Sequence, residues 1–278
     1  MNIGPETLDR LCKEAHAIAR DAGRRIVELY RADVEIEIKR DNTPVTVADF
    51  AAHDILVRGL AALSPSLPVL SEESEQVSSD ERHAWPACWL VDPLDGTREF
   101  IRGNGEFTVN VALVEGNRPV LGIVHAPVLD VSYTAIRGQG ARKQRGDEPP
   151  EDIHVRNAPG TVTVALSRSH SASSPVQKFL DAIGKHDEIP MGAALKSCLV
   201  AEGIADVYAR LGPTGEWDTA AAQVIVEEAG GAMTDTCRRS LSYNRRDSLI
   251  NPNFLVFGDG RVDWCDLLPR EAIQQDAA

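Results

Sequence analysis

Apolar residues recur at three- and four-residue intervals from Thr7 to about Ala32, at Leu8, Leu11, Ala15, Ile18, Ala19, Ala22 and Ile26. That is the stripe one face of an amphipathic helix buries. The period then changes: "VEIEIKR" (34–40) alternates and predicts a strand. Helical spacing returns in "PVTVADFAAHDILVRGL", where Thr46 followed three residues on by Asp49 approximates a capping box and places Asp49 in the first turn of a second helix. Short apolar runs at 68–70 and 88–91 predict buried strands, and "FTVNVALVEGNRPVLGIVHAP" predicts two strands joined by a hairpin turn at "EGNR". The first half therefore reads as α+β, helices on an antiparallel sheet. After the polar "RGDEPPEDIHV", "TVTVAL" restarts as a strand. Helices follow near 174–184, 193–204 and 217–229, with "ADVYARL" and "NFLVFGD" as further strands. A boundary at 146–155 divides an N-terminal α+β half, 1–150, from a C-terminal α/β half, 151–278. The terminal "IQQDAA" is expected to fray.

With 278 residues, 43% of them hydrophobic, the chain can bury a large core. A net charge of -13 excludes general binding to nucleic acid or an anionic membrane, which requires clustered Lys and Arg. The five cysteines form no C-x-x-C pair, so a reducing cytoplasm is the expected location. The N-terminal "MNIGPETLDR" lacks a basic segment leading into an apolar one, and no run of eighteen apolar residues occurs, so neither secretion nor membrane insertion is expected. The histidines show no metal-ligand spacing.

"WLVDPLDGTREF" changes the picture, because an apolar strand ends in two carboxylates, Asp92 and Asp95. Placed together at a buried strand end, they would repel and lose hydration at a cost of several kcal/mol per ion unless a cation offsets it. Pro93 has no N–H to donate, and the turn it sets could aim the Leu94 carbonyl inward; carboxylates with a carbonyl favour Mg²⁺ or Mn²⁺ over zinc. Gly96 and Thr97 would offer backbone N–H groups to a phosphate. Asp-Pro and Asp-Gly are also ordinary turn dipeptides, and from this segment alone both readings stand. Glu72 and Glu73 in "VLSEESE", and Asp218 in "GEWDTAAAQ", add further acids next to predicted elements.

Four segments in this order, "PVTVAD", "LSEES", "DPLDGT" and "EWDTAAAQVIVEEAGG", resemble the inositol monophosphatase superfamily of metal-dependent, lithium-sensitive phosphatases. Within it, "DPLDGTREFI", "LKSCLVAEGIADVYARLGPTGEWDTAAAQ" and "LSYNRRDSLINPNF" are most similar to the bacterial CysQ type, the 3'(2'),5'-bisphosphate nucleotidases. The resemblance implies a layered α/β/α/β/α sandwich of the inositol monophosphatase/fructose-1,6-bisphosphatase type. It implies two or three Mg²⁺ ions: one on Glu72, Asp92 and the Leu94 carbonyl, a second on Asp92, Asp95 and Asp218, and a weaker third on Glu72 and, through water, Asp49. Asp49, Glu72 and Thr97 take catalytic roles in this reading, Thr97 working with Asp49 on the attacking water. Gly96, Thr97, His170, Ala193, Lys196 and Arg210 fall where substrate is bound, although Ala193 and Ala194 replace the serines usual before the lysine. Taken singly, Lys196, Arg210 and His170 also fit a solvated helix charge, a strand-end charge and a loop residue. The implied activity is Mg²⁺-dependent removal of the 3'-phosphate from 3'-phosphoadenosine 5'-phosphate in sulfur assimilation, on a small phosphomonoester and with a homodimer left open. The alternatives are an inositol-1-phosphate phosphatase and a catalytically silent metal-binding interaction protein.

Overall fold

The computed structural model describes residues 3–30, 36–38 and 44–274, apart from 75–76, 159 and 169–173. Helix α1 (Pro5–Tyr30) buries Leu8, Leu11, Ala15, Ala19, Ala22 and Ile26, the stripe expected from the sequence. A two-stranded antiparallel ribbon, β1 (Ile36–Ile38) with β2 (Pro44–Thr46), leads directly into α2 (Val47–Ala61). The rest of the strand expected over 34–40 lies outside the described residues. Thr46 caps α2 and completes the capping box with Asp49.

Next come β3 (Val69–Ser71), α3 (Ser79–His83), β4 (Ala87–Asp95), α4 (Thr97–Arg102), β5 (Thr108–Glu115), β6 (Arg118–Ala126), β7 (Val131–Ile136), β8 (Ala141–Arg145) and β9 (Glu151–Ile153). The strands form one sheet in sequence order, β3 to β9. Its pairs are antiparallel except β3 with β4, so the antiparallel sheet expected for this half carries one parallel edge strand. The hairpin at "EGNR" turns at Gly116 and Asn117, both in the left-handed region (φ 56° and 69°), the geometry a two-residue hairpin loop requires. Strand β7 went unpredicted, although its "VSYTAI" is rich in strand-forming residues, as did β8 and β9, whose "ARKQR" and "EDI" are too polar to show an alternating apolar face.

The remaining elements are β10 (Val162–Leu166), α5 (Pro175–Ile183), β11 (His186–Pro190), α6 (Leu195–Ala201), β12 (Val207–Arg210), α7 (Ala220–Glu228), β13 (Ala232–Asp235) and β14 (Phe254–Phe257). Their five-stranded sheet runs β11-β10-β12-β14-β13, parallel on one side of β12 and antiparallel on the other. Polar β11 and short β13 went unpredicted. The helix expected over 193–204 begins later, since Ala193 has φ 49°, outside the helical range. The helix expected over 217–229 is split into a 3-10 turn, Glu216–Asp218, and α7.

The layers follow from which side chains meet. One core joins α1 and α2 to the first sheet, through Trp89, Val91, Val111 and Leu113. A second core joins the other face of that sheet, through Cys88, Leu90 and Ala112, to α6, α7 and the second sheet. A third packs α5 and the 3-10 turn Trp264–Leu267 outside the second sheet. The architecture is α+β in five layers, α/β/α/β/α. Strand β4 is buried on both faces, which is why it reads as a continuous apolar run rather than an alternating one. Asp92 shares the parity of Cys88 and Leu90 and thus leaves β4 toward the layer holding α6 and α7.

Gly122 of β6 lets α7 approach that face. A Cβ there would stand 2.4 Å from both the Ala221 carbonyl oxygen and Val224 Cγ1. Gly122→Val is therefore expected to destabilise the protein by about 1–3 kcal/mol or more, seen as earlier thermal unfolding; an unchanged midpoint would refute this contact.

Candidate metal centre

Asp92 and Asp95 lie three apart on β4, a separation that in a regular strand sends side chains to opposite faces. The pairing of β4 with β5 resolves this. Asp92 faces Asn110 and Asp95 faces Thr108, so Pro93 and Leu94 stand opposite Val109 alone. One extra residue is a β-bulge, which restores the parity and turns both carboxylates to one side. Proline suits the bulge because it has no N–H to give to the ladder. The Leu94 N–H instead donates to Asp92 Oδ1 at 3.0 Å.

Two other elements bring acids to the same place. Glu72 follows β3 and is held by its N–H donating to the Val91 carbonyl at 3.0 Å. Asp218 ends the 3-10 turn, with its Oδ2 accepting the Gly215 N–H at 3.0 Å. One carboxylate oxygen from each of Glu72, Asp92 and Asp218 lies within 4.8 Å of the others, an all-oxygen donor set able to hold a metal ion. Burial, then repulsion from Glu72, Asp95 and Asp218, pushes the Asp92 carboxyl well above the usual carboxylate range. Burial, with repulsion from Asp95 and Glu72, pushes Asp218 up to about 8. Asp95 is also raised by burial, while Lys196, the Asn110 amide and the Ala194 N–H pull it down. A divalent cation matches this donor set, because its charge offsets the repulsion that otherwise favours protonation.

Asp49 is 3% exposed and uses both oxygens. Oδ2 accepts the Thr46 N–H and hydroxyl, each at 2.7 Å, so the cap of α2 fixes the carboxylate. Oδ1 faces the Thr97 hydroxyl at 3.3 Å, and that hydroxyl is also 3.4 Å from the Leu94 carbonyl. The structure thus joins Asp49, Thr97 and Leu94. Gly96 caps α4 with φ 92°, so the chain turns from the bulge into α4 in a conformation that favours glycine.

Of the residues expected to bind substrate, Lys196 and Ala193 come to this centre from the second half. Lys196 is 7% exposed, donates to the Ala193 carbonyl at 2.7 Å and lies 5.3 Å above the Tyr208 ring centroid. Burial lowers its pKa, while attraction to Asp95 and Asp218 raises it. Ala193 faces Gly96: a Cβ on Gly96 would lie 3.3 Å from Ala193 Cβ. Arg210 directs its guanidinium to its own turn, donating to Thr214 Oγ1 at 2.6 Å and the Pro213 carbonyl at 2.8 Å. His170 lies outside the described residues. Sequence reasoning missed Asn110, whose amide donates to Asp95 at 3.2 Å, and Asn251, which donates to the Gly215 carbonyl at 3.0 Å and Thr219 Oγ1 at 2.7 Å on either side of Asp218. Asn110 carried a usable signal, a lone amide inside the apolar "FTVNVALV".

Among the described residues no helix is long and apolar enough to cross a membrane. The model of the inositol monophosphatase family matches residues 7–258. The 3'(2'),5'-bisphosphate nucleotidase CysQ of Escherichia coli K12 is 43% identical over 251 residues, covering 90% of this chain and 98% of that protein. The protein of the same name from Haemophilus influenzae is 40% identical over 258 residues, covering 92% and 96%. The crystal structure of CysQ from Bacteroides thetaiotaomicron, 36% identical, superposes with a TM-score of 0.79 over 92% of this chain and 99% of that one. Extragenic suppressor protein suhB from Bartonella henselae, 27% identical, gives 0.76 over 91% and 96%. The chain belongs to the inositol monophosphatase family.

Proposed function

We propose that the chain is a 3'(2'),5'-bisphosphate nucleotidase acting in sulfur assimilation, a phosphomonoesterase that converts 3'-phosphoadenosine 5'-phosphate to AMP and phosphate. The observation that carries this reading is the convergence of Glu72, Asp92 and Asp218 in a chain 40–44% identical to proteins of that name over at least 90% of its length. The all-oxygen donor set favours Mg²⁺, held by Glu72, Asp92 and the Leu94 carbonyl and by Asp92, Asp95 and Asp218, with Glu72 and Asp49 as a weaker third position. When bound there, the ions supply electrostatic stabilisation of the phosphoryl group and acidify water.

The chain's own residues do the positioning. Thr97 Oγ1 holds its proton toward Asp49 Oδ1, which leaves an oxygen lone pair to accept from the attacking water. The Thr46 cap keeps Asp49 from turning away. Backbone N–H groups of Gly96 and Thr97 would face the phosphate, and Ala193 and Lys196 would line the substrate wall, to which the family resemblance also assigns Arg210 and His170. In this division residues 1–150 carry most of the metal ligands, and 151–278 carry Asp218 and the wall. The protein works in the cytoplasm on a small nucleotide, as a monomer or a homodimer.

Lys196 tests substrate class. A bisphosphate carries a second anion, and a charge-assisted contact to it contributes about 1.5–3 kcal/mol, roughly ten- to a hundredfold. Lys196→Met, which keeps the buried volume, should lower kcat/KM by that factor on 3'-phosphoadenosine 5'-phosphate and change hydrolysis of inositol 1-phosphate little. Equal losses on both substrates would instead assign Lys196 to Asp95 and the metal centre.

A further inference from the structure

Between the two halves, beside Gly96, lies Glu106, in the segment joining α4 to β5. Its carboxylate reaches two points of the second half. Oε2 accepts the Gly192 N–H at 2.9 Å, and Arg168, just beyond β10, grips both oxygens, Nε to Oε2 at 2.8 Å and Nη2 to Oε1. The carboxylate side chain is 13% exposed and the Arg168 side chain 37%, so the carboxylate is largely enclosed while the guanidinium stays at the solvent rim. The backbones are close as well. A Cβ on Gly192 would stand 2.3 Å from the Glu106 carbonyl oxygen, and a Cβ on Gly96 would stand 3.4 Å from the same atom.

What Glu106 holds is the turn that opens α6. Gly192 is followed by Ala193, whose φ of 49° is left-handed and whose Cβ faces Gly96. The carbonyl of Ala193 takes the Lys196 ammonium, and the N–H of Ala194 donates to Asp95. The turn therefore fixes a cation and a backbone donor against an acidic centre built largely on the other half. Neither α6 nor β4 sets that spacing alone. The Glu106 carboxylate spans the gap at the turn by hydrogen bonds, beside the Glu99 side chain, whose Cγ would lie 2.7 Å from a Cβ on Gly192.

We propose that Glu106, clamped by Arg168, is a positioning residue for substrate specificity: it holds the 192–194 turn, and through it Lys196, at its working distance from the metal-binding carboxylates. The Glu106 carboxylate is hydrogen-bonded to Gly192 and Arg168, at the turn rather than at the acidic centre, so its loss should loosen the substrate wall while leaving the metal ligands in place. The inference rests on the nucleotidase reading.

The test compares the full-length chain with Glu106→Gln, which keeps an acceptor for the Gly192 N–H and loses the charge facing Arg168, and with Glu106→Ala, which loses both. Steady-state kinetics with 3'-phosphoadenosine 5'-phosphate in Mg²⁺ should show KM raised about tenfold or more in Glu106→Ala and by a smaller factor in Glu106→Gln, with kcat within about threefold of the parent. The Mg²⁺ concentration giving half the maximal rise in unfolding temperature should stay the same in both variants. An unchanged KM in Glu106→Ala overturns the proposal. So does a parallel fall in kcat and Mg²⁺ response in Glu106→Gln, which would make the pair a general structural support. If the parent itself fails to hydrolyse 3'-phosphoadenosine 5'-phosphate, the nucleotidase reading fails and the specificity role fails with it; in an active parent, a KM for inositol 1-phosphate raised as much in Glu106→Ala as that for 3'-phosphoadenosine 5'-phosphate overturns the specificity role alone, because Lys196 is assigned to the second phosphate.

Discussion

Asp92→Asn is expected to lose Mg²⁺-dependent hydrolysis by at least about a thousandfold, the upper scale for losing one preorganised electrostatic group, and yet to unfold no earlier than the parent without metal. Asp92 is 1% exposed and faces Glu72, Asp95 and Asp218, so in the absence of a cation its charge opposes folding. The amide removes that charge at nearly the same shape. Its carbonyl can still accept the Leu94 N–H, and its NH₂ can donate where Asp92 and Asp218 now share a hydrogen bond. The two readouts should therefore move apart, with turnover lost and metal-free stability kept or raised, as for a site that holds function at the expense of stability. Near-parental turnover at saturating Mg²⁺ would remove Asp92 from the metal centre.

Metal-free protein should become less stable as pH rises from 6.5 to 8.5, and Mg²⁺ should stabilise it more at the higher pH. The sign comes from carboxyl groups whose pKa is raised on folding. Such a group contributes its full stability while protonated, below its unfolded value, and loses it as pH climbs through the folded value. For Asp218 that window runs from 3.8 to about 8, and Asp92 is displaced in the same direction. Burial lowers the pKa values of His16, His53 and His125, a contribution of opposite sign that weakens the fold chiefly below their ordinary value of 6.5. Above pH 6.5 the carboxylates should dominate. Thermal unfolding at the two pH values, with chelator and with Mg²⁺, checks this, and Asp92→Asn should flatten the dependence. A Mg²⁺ increment that shrinks with rising pH would contradict it.

The acids of the centre were legible because each borders an apolar run. Asp92 follows the apolar start of β4, Glu72 follows β3, and Asp218 precedes the apolar α7. Asp49 was legible for a different reason, the spacing of a capping box, and the cap proves to orient the carboxylate as well as start the helix. The bulge was not legible, since nothing in "DPLD" states that β5 supplies one residue against two. Glu106 and Asn251 escaped for a related reason. Their partners, Gly192 and Arg168 for the one and Gly215 and Thr219 for the other, are distant in sequence, and a polar residue in a loop has no period to reveal which groups it will meet. Strands β8 and β11 were hidden by polar side chains, their pairing being decided by neighbouring strands rather than by their own pattern.

The central claim, a magnesium-dependent nucleotidase rather than an inositol phosphatase or a silent metal-binding protein, is tested most directly by phosphate release from two substrates with one preparation. With Mg²⁺ present, kcat/KM for 3'-phosphoadenosine 5'-phosphate should exceed that for inositol 1-phosphate by at least about tenfold, the least that one charge-assisted contact to the second phosphate supplies, and release should stop when Mg²⁺ is chelated. A higher kcat/KM on inositol 1-phosphate, or no Mg²⁺-dependent release from either substrate, would contradict it.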